Sequence, residues 1–344
     1  MRFLIEDLRA IIIPRRPKLT NTYLLGSKMT RFKELANKFE PFQFRDFRDD
    51  IKKGIYKKKS RYSYIGPDGQ IYDIRNQSNN LSGRKWLFFL NSIEITNYPT
   101  SGKESYGHEL RKIHPSPKPP QLMRNIIEFF AKEGGWVLDP FMGVGGTLLG
   151  ASLCRRNAVG IDISKDYIAI YKEVSKNLGL KEQITIMEDA RNTPLIFEDL
   201  GEFFDLILTD PPYCDMQARL KTGDKAKKIG KKFSTPFTRD SRDIGNIGYN
   251  RYLQALKQII ENAIHCLKKG KYVVIFTKDL QPNKDRHNLL HADIVCALSK
   301  IKGLRFKGYK IWFDKAQNLY PFGYPFSYVS NQFHQFILIF RKDV

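Results

Sequence analysis

Acidic residues are scarce in this sequence. Its 344 residues carry 36 Asp and Glu against 58 Lys and Arg, a formal net charge of +22. Such an excess says nothing of fold, but it disfavours cationic partners and suits a phosphate backbone, or more plainly a solvated basic surface or an anionic membrane face. Cysteine is sparse too. The four, Cys154, Cys214, Cys266 and Cys296, lie far apart. None forms a CxxC pair and no Cys/His cluster has zinc spacing, so no metal site is expected, and reduced thiols in a cytoplasm are. No apolar run reaches the roughly 18–20 residues that cross a bilayer, so no membrane partner is expected. The opening MRFLIEDLRA holds Glu6 and Asp7 inside its apolar stretch, unlike a signal peptide. No internal repeat is present. What remains is 42% hydrophobic, enough for one large α/β domain with a smaller appendage.

Two regions read differently. In residues 1–107, Met29, Phe32, Leu35, Ala36 and Phe39 recur at helical spacing. A basic run from Lys52 to Arg61 follows, then a hairpin pattern over Tyr62–Tyr72 around Pro67-Asp68-Gly69, then an apolar stretch Trp86–Ile95. The polar segment 97–107 reads as a linker. From His108 onward strands and helices alternate. Strands are expected at 136–139, 158–162, 184–187, 204–209, 272–276, 309–313 and 335–340. Helices are expected at 122–132, 146–156, 165–178, 249–267 and 289–301. This alternation predicts a mainly parallel sheet covered on both faces, with its ligand at the carboxyl ends of the strands.

Those strand ends carry the chemistry. The first runs into Asp139-Pro140-Phe141-Met142-Gly143-Val144-Gly145-Gly146-Thr147. The glycines permit a tight turn and close approach to a ligand. A P-loop would need a Lys before its Ser/Thr, and a dinucleotide fingerprint a third glycine at 148, which is Leu. Asp139 at the strand end suits a cationic group better than a pyrophosphate. Asp162 ends the second strand, where a carboxylate can accept from both ribose hydroxyls, and Asp189 follows the third, within reach of an adenine amino group. Any one of these acids alone reads as a helix cap or surface charge; three at successive strand ends do not.

The fourth strand ends in Asp210-Pro211-Pro212-Tyr213. Two prolines remove backbone donors and fix the chain's direction, leaving the Pro211 carbonyl as an acceptor. An aryl amine is a poor nucleophile because its lone pair is delocalised. The Asp210 carboxylate and a peptide carbonyl can hold its two hydrogens and aim the lone pair at a methyl donor. Tyr213 offers a face on which a base taken out of the duplex can stack.

Together these motifs resemble the amino-methyltransferases of DNA, the adenine-N6 and cytosine-N4 group, over about residues 108–344. His114-Pro-Ser116-Pro-Lys118-Pro119 resembles the segment before the family's glycine loop, whose polar residues, here Ser116 and Lys118, help hold the methionine part of S-adenosylmethionine (AdoMet). Asp139 to Thr147, with Phe141, Gly143 and Gly145, resembles the AdoMet loop; Gly146 stands where the family usually has Thr. Asp162 and Asp189 match the ribose and adenine positions. Asp210, Pro211, Pro212 and Tyr213 match the catalytic motif. Trp312–Ala316 and His334–Lys342 resemble the closing strand pair, and Arg239–Ile247 and His291–Asp293 resemble stretches without an assigned step. The resemblance implies a Rossmann-like, seven-stranded sheet with an antiparallel last strand, AdoMet as cofactor, and double-stranded DNA as partner. It also admits a cognate restriction endonuclease and a restriction-modification role, which the sequence itself does not give.

Many relatives carry a recognition domain after the last strand. Here the sequence stops there, so residues 1–107 or the basic insertion Cys214–Tyr249, with Lys225, Lys227, Lys228, Lys231 and Lys232, are the expected target-contacting segments. Asp at 210 favours adenine-N6 over cytosine-N4. A tRNA guanine-N2 enzyme is the second reading, since some of these share the glycine loop and the Asp-Pro-Pro-Tyr motif. A non-catalytic DNA-binding protein predicts damaged motifs, and these are intact.

Overall fold

The computed structural model describes residues 32–198, 200–214, 238, 240–282 and 287–343. The insertion lysines, Arg239 and the first part of the N-terminal pattern, including Met29, lie outside them.

A small antiparallel sheet comes first: β1 (Lys57–Lys58), β2 (Ser63–Ile65) and β3 (Ile71–Asp73). The Pro-Asp-Gly turn closes β2 onto β3 with Tyr64 opposite Tyr72, as its residue types predict. The main sheet holds β4 (Ile93–Thr96), β5 (Trp136–Asp139), β6 (Asn157–Asp162), β7 (Ile184–Met187), β8 (Phe204–Thr209), β9 (Leu267–Thr277), β10 (Leu304–Asp314) and β11 (Gln335–Lys342), ordered β4-β10-β11-β9-β8-β5-β6-β7. β11 runs antiparallel to both neighbours, and every other pair is parallel. From β5 to β11 this is the Rossmann-like arrangement expected, with its antiparallel closing strand.

Two strands were not foreseen: β1, within the basic run, and one in the main sheet. Trp86–Ile95 divides into a helix, α1 (Gly83–Phe89), capped by Ser82, and β4, which pairs with β10 and makes the sheet eight-stranded. A ten-residue, largely apolar run has no period that separates these two states. The expected helix 249–267 also overran. The helix itself ends at Ala263 and a 3-10 turn leads into β9, because Leu267 pairs with Phe204. The Lys268-Lys269-Gly270-Lys271 stretch hides that early part of β9 from a reading of apolar alternation.

The core lies on both faces of the main sheet. Val137, Ala158, Leu206, Leu208, Val274 and Ile337 face α2 (Pro120–Phe130) and α3 (Gly146–Leu153). Their neighbours Leu138, Val159, Ile207, Val273, Ile275 and Leu338 face α4 (Tyr249–Ala263) and α5 (Leu290–Leu298). Strands buried on both sides read as continuous apolar runs, which is why they were legible. Residues 32–107 are tied to this body. The Asn157 side chain accepts from the Phe42 N–H (2.7 Å) and donates to its carbonyl (3.1 Å), and Lys132 pairs with buried Asp46.

Candidate active site

β5, β6, β7 and β8 are parallel, so the segments after them emerge at one edge. The strand order reverses between β5 and β8, and crossovers there diverge to opposite faces and leave a crevice. The glycine loop follows β5 and Asp210 follows β8, one on each side of it. Gly143, Phe141 and Asp210 line both of two cavities there. The larger encloses about 640 Å³ of empty space, partly open to solvent, and adds Asp162, Asp189, Pro211, Pro212 and Tyr213 to its walls. The smaller, about 300 Å³, is walled by Ser116, Lys118 and Asp139. Of the cofactor-binding and catalytic residues expected from the sequence, Gly145 alone lines neither. Its φ of +76° and the Tyr171 ring, 2.1 Å from where a Cβ would stand, explain the glycine by turn and packing.

Two acids hold the loop. Asp162 Oδ2 accepts from the Gly143 N–H and Oδ1 from the Ser164 N–H, each at 2.8 Å. Each oxygen keeps a further acceptor site. Burial pushes this carboxyl up to about 6, against the pull of those N–H groups. Asp139 accepts from the Thr209 hydroxyl (2.7 Å) and the Phe141 N–H (3.0 Å), and burial raises it to about 7. Asp189 is differently placed. Its carboxylate is engaged by Arg191, with Nη2 at 2.6 Å, and caps the following 3-10 turn.

The Asp-Pro-Pro-Tyr end is a buried polar cluster. Lys118 forms an ion pair with Asp210 Oδ2, the two side chains being 4% and 13% exposed. Its ammonium also donates to the Tyr213 hydroxyl (3.2 Å). Tyr213 donates to Asp210 Oδ1 (2.9 Å), and its oxygen lies 3.0 Å from the Gln335 side-chain carbonyl. Burial raises the Asp210 carboxyl, while Lys118 and Tyr213 oppose that rise. Lys118 was expected at the methionine end of the cofactor; its ammonium is on Asp210. Tyr213 was expected to offer a face on which a base stacks; it is 2% exposed and lines the larger cavity.

Several neighbours were not singled out. The Arg111 guanidinium, fully buried, donates to the carbonyls of Val144 (3.2 Å) and Lys118 (2.5 Å) and so clamps the glycine loop to the Lys118 segment. This clamp explains Gly146. A Cβ there would stand 2.9 Å from the Lys118 carbonyl and 3.2 Å from Arg111. His114 lines both cavities, accepts from the Ser116 N–H (3.2 Å), and is held neutral by burial, down to about 3. Asp243 lines the larger cavity, capping the 3-10 turn Ile244–Asn246. Its place in a patterned stretch was the only signal it gave.

The walls fit S-adenosylmethionine. In a chain of net charge +22, these cavities gather Asp139, Asp162, Glu188, Asp189, Asp210 and Asp243. Acids in such number repel a pyrophosphate and attract a sulfonium and an ammonium. Ser116, Asp139 and the 143–146 loop would hold the methionine part, and Asp162 with its spare acceptor sites the ribose.

The strand order is that of a Rossmann-like, S-adenosylmethionine-dependent methyltransferase fold, and the two cavities lie where that fold holds its ligand. Residues 15–173 match the family model described as DNA methylase. A tRNA (guanine(10)-N2)-dimethyltransferase of Methanothermobacter thermautotrophicus is 32% identical over 127 residues, 37% of this chain and 36% of that protein. The type II methyltransferase M.HpaI of Haemophilus parainfluenzae is 41% identical over 68 residues, 20% of this chain and 22% of that one. M2.DpnII of Streptococcus pneumoniae is 42% identical over 60 residues, 17% and 22% of the two chains. The chain thus spans about a third or less of the length of these curated relatives. Among solved structures, TrmN from Thermus thermophilus overlays 68% of this chain and 52% of its own at 18% identity, with a TM-score of 0.43. The chain is thus similar to DNA methylases over residues 15–173, under half of its length.

Proposed function

We propose that this protein methylates the exocyclic amino group of a flipped-out DNA base, adenine N6 in preference to cytosine N4. One observation carries the proposal: Asp210, Pro211, Pro212 and Tyr213 wall the same cavity as Gly143 and Asp162. S-adenosylmethionine, when bound, supplies an electrophilic methyl group on a sulfonium. The chain's own residues prepare the amine. Asp210 accepts one of its hydrogens and the Pro211 carbonyl the other, which localises the nitrogen lone pair. Asp210 is the stronger acceptor when ionised, and Lys118 favours that state inside a buried site. Since Lys118 and Tyr213 already occupy one position on each carboxylate oxygen, the amine takes a remaining one. Tyr213, 2% exposed in the cavity wall, is out of reach of a base within a duplex, which supports extrusion.

A second reading has its own support. Among the relatives, tRNA guanine-N2 enzymes match as extensively as DNA enzymes do, and the amine chemistry is shared. One experiment separates them. The protein is incubated with isotopically labelled AdoMet and either duplex DNA or tRNA, followed by digestion to nucleosides and mass analysis. Labelled N6-methyladenine from DNA is the expected product. N4-methylcytosine would change the base, N2-methylguanine from tRNA would replace DNA with RNA, and no labelled base from either would overturn the proposal.

A further inference from the structure

The segment joining β10 to β11 is unlike the rest of the surface. Residues 316–334 contain no Asp, Glu, Lys or Arg. Tyr324 is 80% exposed, and Phe326 and Tyr328 are each 92% exposed, with Tyr320 and Phe322 also open to solvent. The backbone beneath these rings is nevertheless tied down. Asn331 clasps Tyr320 through two hydrogen bonds, of 3.0 and 2.9 Å. The N–H groups of Phe326 and Ser327 donate to the Gly323 carbonyl at 2.7 and 2.8 Å. Gly323 has a φ of +75°, and a Cβ there would stand 2.3 Å from the Ser327 carbonyl. The loop thus holds its shape while its aromatic rings point outward, an arrangement that marks an interaction surface rather than a core.

Its position adds the second observation. β10 is parallel to the site-forming strands, so the loop leaves the edge that carries the cavities. Its far end is Gln335, whose side chain lies 3.0 Å from the Tyr213 hydroxyl, and Gln281 donates to the Ser330 carbonyl within it. We propose that the 316–334 loop is a base-stacking platform for DNA next to the extruded target. The proposal rests on the DNA reading above and names which part of the chain meets the bases. Uncharged rings with exposed faces suit unstacked bases, and stacking on them tolerates any sequence. The net charge of +22 attracts a polyanion and repels a second copy of the chain. An acid-free loop adds no repulsion where phosphates pass.

The test is the double variant Phe326→Ser, Tyr328→Ser in the full chain. Both rings are almost fully exposed, so the fold does not depend on them. Single-stranded and duplex DNA of mixed sequence are titrated across a salt series, with tRNA as a parallel arm and AdoMet binding measured by calorimetry. The expected result is a loss of DNA affinity of about tenfold to a hundredfold at every salt concentration. The slope of log affinity against log salt should not change, because an uncharged ring releases no counterion. AdoMet affinity should match wild type. Unchanged DNA affinity in a protein that methylates DNA would overturn the platform and leave the function standing. A wild-type dimer that the variant dissociates, with DNA affinity intact, would assign the loop to self-association and overturn it as well. If the wild type binds and modifies only tRNA, the DNA reading and this one fall together.

Discussion

Replacing Lys118 by Met tests whether the buried Lys118–Asp210 pair maintains the acceptor that the chemistry needs. With side chains 4% and 13% exposed, the pair is nearly sealed from water. Removing one partner of such a pair costs about 3–5 kcal/mol if the other stays charged. Asp210 can escape by taking up a proton, and the direction follows from its environment. Burial already raises it, and Lys118 is the main opposing influence. Without Lys118 the folded-state carboxyl therefore rises further. A carboxyl with a raised folded-state pKa favours the fold when protonated, and that advantage is lost as pH climbs from its unfolded value through its folded one. The Tm difference between wild type and Lys118→Met should therefore be small in mild acid and widen as pH rises. The acid limb of the kcat profile should move to higher pH, since protonated Asp210 is a weaker acceptor and cannot offset positive charge developing on the amine. Lys118→Arg should recover part of both effects. Thermal melts across pH and single-turnover methylation read them out. A stability loss independent of pH, together with an unshifted acid limb, would refute the assignment and leave Lys118 a packing residue.

Asp210→Ala should abolish methyl transfer while calorimetric AdoMet binding survives; substantial activity would remove Asp210 from the chemistry. Asp162→Ala should weaken AdoMet about tenfold or more, because a hydrogen bond to a charged group contributes about 1.5–3 kcal/mol, and an unchanged dissociation constant would place the ribose elsewhere. Burial holds Asp162 and Asp139 up to about 6 and 7, so the apo fold gains from their neutral forms below the ordinary carboxylate range and loses that gain as pH rises through those values. A bound cation favours their charged forms. AdoMet affinity should therefore strengthen with pH across that window, with proton release visible as a buffer-dependent binding enthalpy. Gly146→Thr introduces the residue usual in the family that the motifs resemble but drives a Cβ to 2.9 Å from the Lys118 carbonyl. It should cost about 1–3 kcal/mol in denaturant melts, and a neutral effect would mean that the Arg111 clamp yields easily.

The sequence by itself determined the order and type of the sheet elements from β5 onward. Strands buried on both faces show as apolar runs, and helices between them keep their own period. It also placed Asp139, Asp162, Asp189 and Asp210 at four strand ends, because a carboxylate just after an apolar run is a local pattern. Only the tertiary structure decided what those acids meet. That Lys118 reaches across 92 positions to Asp210, and that Gln335 touches Tyr213 from 122 positions away, depend on strand neighbours remote in sequence. No local period encodes them. The same holds for β4, a strand whose apolar run cannot be told from the helix before it until β10 supplies its hydrogen-bonding partner. Local propensity and burial are written along the chain, whereas pairing across the sheet exists only once the chain has folded.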